Sequence, residues 1–177
     1  MKKNLALFFA LAILLTGCGW IGGLLTKDVD TNLIIDIPVN IVSGKSASST
    51  AAVMTGYNES KMYYLDDNKD IADHLSKIDE IDLKSLKVTV TGLSGDQVVN
   101  TISVSVFGIG ELASYSNITP GTGAFTPQVN KTNLETAAKQ LLEDQKMEFV
   151  VSGDASGEPM TFSVELNFTT LITVSIL

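Results

Sequence analysis

The stretch that most constrains the fold lies at the C-terminus. Met160, Phe162, Val164, Leu166 and Phe168, then Ile172, Val174 and Ile176, all occupy even positions, and only Thr170 breaks the row. Side chains alternate sides along a strand, so this period predicts an extended segment with one buried face. A strand that long needs a second layer to cover its apolar face. The same length predicts a bend or bulge near Thr169 and Thr170, or service to two sheets in turn. Leu33, Ile35, Ile37, Val39 and Ile41 repeat the pattern near the N-terminus. Pro38 falls on the opposite face and has no N–H, which places that strand at an edge or at a bulge.

Between these two segments the pattern is shorter and mixed. Residues 43–52 are small and polar and read as a loop. Residues 53–65 carry Tyr57, Met62, Tyr63 and Leu65 without a firm period. A short helix follows, capped by Asp66, Asp67 and Asn68 and lined by Ile71, Leu75 and Ile78. Ile81–Thr91 reads as a strand with Leu86, Val88 and Val90 in phase, and Gly92–Asp96 as a hairpin turn. Val98, Ile102, Val104 and Val106 mark the return strand, interrupted by Asn100. Residues 108–130 hold four of the chain's glycines and two of its prolines and read as loop. Thr132 and Glu135 have capping-box spacing, ahead of a helix with Leu134, Ala137, Ala138, Leu141 and Leu142 on one side. A strand over 146–152 and a turn over 153–157 lead to the C-terminal run. The sum is a mainly β chain, an antiparallel β-sandwich or curved sheet with two short helices, in one domain over residues 31–177.

The N-terminus has a different logic. Lys2 and Lys3 precede Leu5–Leu15, an apolar run without a charge. That run is shorter than the roughly 20 residues of a membrane span and fits the core of a secretory signal. Thr16 and Gly17 are small, and Cys18, the chain's one cysteine, follows them. Leu15-Thr16-Gly17-Cys18 resembles the lipobox of bacterial lipoproteins. The resemblance covers residues 1–18 and implies cleavage between Gly17 and Cys18, with lipid added to Cys18. Two or more acyl chains hold a protein stably at a membrane, where a single chain does not. Residues 18–30 then form the lipidated cysteine and a flexible tether, with Trp20 at headgroup level. By the same resemblance Gly19, in place of an aspartate, favours the outer membrane. The missing acidic cluster favours the periplasmic face over the cell surface. The rest of the chain is similar in general look to small uncharacterised β-rich envelope lipoproteins.

Composition narrows the partners. The chain has 177 residues and no arginine. Removal of Lys2 and Lys3 with the signal leaves ten lysines against 20 acids, a formal charge of −10. Such a surface repels phosphate backbones, so nucleic acid is excluded as a partner. One cysteine allows no disulfide within the chain and no cysteine-built zinc site.

Four patterns invite a chemical reading. Gly108-Ile-Gly110-Glu-Leu-Ala113 matches a dinucleotide fingerprint, but the residues after it break the helix that fingerprint requires. Asp66, Asn68 and Asp70 resemble the first ligands of a calcium loop, yet Ile71 and Lys77 occupy its glycine and glutamate places. His74, the one histidine, sits beside Ile71 and Leu75 and reads as a half-buried structural residue. Asp79, Glu80 and Asp82 offer carboxylates for glycoside hydrolysis, but they alternate across a strand, and aromatic residues make up only 7% of the chain. The expectation is therefore a noncatalytic domain with no metal or cofactor. It either docks an envelope protein through strand edges and loops or carries an apolar ligand in a cavity between sheet and helix.

Overall fold

The computed structural model describes residues 26–42, 54–157 and 159–176. Gly17, Cys18, Gly19 and Trp20 lie outside these residues, as does the small-residue loop over 43–52.

Among the described residues, eight strands form two four-stranded antiparallel sheets. They are β1 (Thr26–Ile41), β2 (Thr55–Tyr64), β3 (Ile78–Thr91), β4 (Val98–Val106), β5 (Gly110–Ile118), β6 (Ala124–Phe125), β7 (Lys146–Ser156) and β8 (Met160–Ser175). One sheet runs β1-β8-β3-β6 and the other β2-β7-β4-β5. The chain changes sheet at nearly every connection, which is the double-sheet jelly-roll arrangement of a β-sandwich. The inner faces meet in an apolar core that includes Leu33, Ile35, Ile37, Val39, Phe149, Leu166 and Phe168, each at most 1% exposed. Phe149 and Phe168 come from opposite sheets and touch ring to ring, with centroids 5.3 Å apart. Tyr57 meets Phe162 edge to face at 5.5 Å. Aromatic side chains thus bridge the layers and fill the middle of the sandwich.

The two long alternations form the strands they predict. β1 pairs with β8 without a break from Thr26↔Ser175 to Ile41↔Met160. β1 begins at Thr26, so residues 26–30, expected in the tether, are strand. β1 is also a sheet edge, one of the two settings that Pro38 allows. β8 neither bends into a second sheet nor carries a bulge at Thr169–Thr170. The irregularity lies in its partner, where the register of β3 slips between Leu83 and Ser85, opposite Thr170 and Thr169. The extra residue moves the buried phase of β3 from Ile81 and Leu83 to Leu86 and Val88. β4 slips likewise between Val99 and Thr101. Asn100 is thus the skipped residue, and Val99 is buried in place of Val98.

Several local readings are corrected. Gly92–Asp96 is not a hairpin turn, and the turn expected over 153–157 joins no hairpin either: β3 and β4 belong to different sheets, as do β7 and β8. Gly153 lies inside β7, where a Cβ would run into the Thr101 carbonyl. The Tyr57 hydroxyl crosses this gap and donates to that carbonyl at 3.0 Å. The hairpin that does form joins β4 to β5, in the stretch expected to be loop. The first helix is instead two 3-10 turns, Leu65–Asp67 and Ala72–Lys77, neither with a side-chain cap. Its polar residues bond elsewhere, and such local alternatives compete with helix.

The one α-helix among the described residues, α1 (Lys131–Asp144), starts from Asn130 rather than from the Thr132/Glu135 box. The Asn130 side chain accepts from the Asn133 N–H at 3.2 Å. Thr132 is already helical, and its carbonyl accepts from the Thr136 hydroxyl at 2.9 Å. The helix buries Leu134, Ala137, Ala138 and Leu141, and it packs on β3, β5 and β7.

Candidate functional site

The two flanks of the sandwich differ. At one, the Tyr115 ring of β5 stacks on Phe125 of β6 at 4.2 Å, and α1 packs beside the part of β3 that the two-residue β6 leaves unpaired. At the other, β1 and β2 face each other as the outer strands of their sheets and leave a cleft of about 390 Å³. Ile34 (55% exposed) and Met62 give it an apolar lip, and Asn32, Lys61, Asp67, Asn68 and Lys69 give it polar walls.

Geometry along this cleft follows from strand parity. In an antiparallel strand, the N–H and C=O of one residue point to the same side, and residues two apart agree. The Asn32 carbonyl accepts from the Asn68 side-chain amide at 3.1 Å, and the Asp36 carbonyl accepts from the Lys61 ammonium at 3.0 Å. The even-numbered residues of β1 therefore turn their backbone groups away from β8. Pro38 belongs to this set, so its missing N–H costs the ladder nothing. Asn68 also donates to the Thr31 hydroxyl at 3.3 Å, and its side-chain oxygen Oδ1 accepts from the Asp70 N–H at 2.9 Å. The Thr31 hydroxyl in turn donates to the Asp70 carboxylate at 3.1 Å. Residues 65–77 are thus strapped onto β1.

Tyr63 lies under the same cleft. Its hydroxyl is buried and has no hydrogen-bond partner among the described residues. Burial pushes its pKa up to about 12, helped by the Asp67 and Asp66 carboxylates and opposed by the Asn68 amide. Burial, with Asp154 nearby, also raises the Tyr57 phenol.

The residues singled out in the sequence do not converge. Gly108 is in the β4–β5 turn and Gly110 opens a strand, not a nucleotide-binding helix. Asn68 and Asp70 bond to each other and to β1. No group of three or more His, Cys, Asp or Glu is placed to hold a metal among the described residues. His74 is exposed, not half-buried, because the turn that carries it directs Ile71 inward instead. Asp79 accepts from the Ser175 hydroxyl at 2.5 Å. Glu80 and Asp82 line a separate cleft against α1, with Glu135 and Lys139. Asn68 and Lys61 carried no signal as edge-binding residues, since their partners on β1 are 36 and 25 positions away.

No family model matches the chain, and no curated protein matches it. Among solved structures, the chain is similar to the decameric BFDV capsid protein at 11% identity, with a TM-score of 0.42, covering 83% of this chain and 98% of that one. It is similar to the acid-stable capsid of a Helicobacter pylori bacteriophage at 9% identity, with a TM-score of 0.38, covering 85% and 98%. For Desmodium yellow mottle tymovirus the values are 10%, 0.34, 83% and 88%.

Proposed function

We propose that this protein is a membrane-anchored envelope lipoprotein whose sandwich is a noncatalytic structural or protein-interaction domain. One observation carries the reading. The lipobox-like Leu15–Cys18 is followed, eight residues after its cysteine, by the first residue of β1. Eight residues reach at most about 29 Å when extended, so lipid on Cys18 holds the domain close to its membrane. By resemblance that membrane is the outer one, with the domain facing the periplasm. The aromatic contacts that bridge the two sheets favour interaction over carriage of an apolar ligand.

Metabolic labelling with palmitate tests the anchor. The wild-type chain is expected to incorporate label and sediment with membranes, and Cys18→Ala to do neither. Label in the Cys18→Ala protein would sink the proposal.

A further inference from the structure

Edge strands offer unpaired backbone groups and so act as templates for pairing with another chain. β1 is such an edge over 16 residues, with an inner face that is buried and apolar from Leu33 to Ile41. It is also self-complementary. Antiparallel pairing of two copies about Ile34 sets Asn32 opposite Asp36 and Asp30 opposite Pro38, so no two carboxylates face each other. Leu33 then meets Ile35 on the inner row. A two-fold contact of this kind is closed and isologous.

We propose that Asn68 and Lys61 guard the outer edge of β1 and keep it from pairing with the β1 of a second copy of this chain. Each occupies an outward carbonyl that the second strand would need, at Asn32 and at Asp36, on either side of Ile34. Pro38 removes one donor further along. Asn68 is itself held in place, through the Asp70 N–H and through Thr31, which also bonds the Asp70 carboxylate. A pairing strand has to detach the strap and the lysine together. The guards belong to the folded domain and act whether or not Cys18 carries lipid.

Symmetric pairing places the two Ile34 positions directly opposite, with Cα atoms about 4.5–5.5 Å apart, inside the range a disulfide spans. Ile34→Cys is therefore introduced into the full chain in detergent micelles. The wild-type chain, whose one cysteine is Cys18, serves as the blank. Disulfide-linked dimer is expected to form about tenfold faster when Asn68→Ala and Lys61→Ala are added, the scale of two lost side-chain bonds to the edge. Equal rates with and without the guards overturn the proposal. An equal acceleration at Val42→Cys, exposed beyond the end of β1, overturns it too, because that reports unspecific association. Circular dichroism checks each fold. If the double variant unfolds, Lys61→Ala alone is read in its place, with an acceleration of about threefold expected and none counting against the guard.

Discussion

The flank closed by α1 and the flank open between β1 and β2 solve one problem by opposite means. Each ends two sheets, so each leaves backbone groups and apolar side chains at a border. On the first, Leu134, Ala137, Ala138 and Leu141 are buried against β3, β5 and β7. On the second, no helix among the described residues covers β1, and side chains from β2 and the strap occupy its carbonyls. Apolar burial scales with area and contributes strongly to stability. Exchange of a water for an amide at a carbonyl contributes little net energy but decides what else can bind there. The closed flank should therefore carry stability, and the open flank should carry selectivity.

Leu141→Ala offers the largest test of that contrast. Leu141 is fully buried, so truncation should cost about 2–5 kcal/mol in urea unfolding. A loss below the effect of an open-flank change would reverse the assignment. Alkali should act next, and through the open flank, because both tyrosines with raised pKa values belong to β2. A phenol whose pKa is raised on folding stabilises the fold fully below the unfolded value, about 10. That contribution falls as pH rises through the folded value, about 12 for Tyr63. Unfolding free energy is expected to drop between pH 10 and 12, with the drop reduced in Tyr63→Phe. A Tyr63→Phe profile identical to wild type would rule out this source.

Asn68→Ala should cost about 1 kcal/mol, well short of Leu141→Ala, yet raise self-association seen by sedimentation. A cost equal to that of Leu141→Ala would mean the strap is a main prop of the fold. Smallest of all, Ile34→Ser on the cleft lip should change stability by no more than about 0.5 kcal/mol in the same urea measurement. A larger loss would show that the open flank closes over Ile34 in solution.

Legibility in the sequence followed the range of the interactions. The inner faces of β1 and β8 were readable because each buried residue reports its own strand's period. In β3 and β4 the period stumbles at Lys84–Ser85 and at Asn100, and those stumbles are the bulges. Gly92–Asp96 correctly marked a reversal, but a turn signal says nothing about which sheet the next strand enters. The Thr132/Glu135 spacing fitted a helix start, yet Asn130 reached the Asn133 N–H first. Residues 110–118 hid a strand because its outer face is polar and only Leu112, Ala113 and Ile118 are buried. The open cleft was not legible at all, since it joins residues from β1, β2 and the strap.

By itself, the sequence determined that the chain is mainly β, which faces of its longest strands turn inward, and that Pro38 sets its strand at an edge or at a bulge. Those properties follow from local periods and from one residue's missing N–H. Only the tertiary structure decided that the strands alternate between two sheets, that β3 rather than β8 takes the bulge, and that Asn68 and Lys61 sit on the edge of β1. These are pairings between distant parts of the chain. They are settled by which partner buries an apolar face or satisfies a carbonyl, and a local period names no partner.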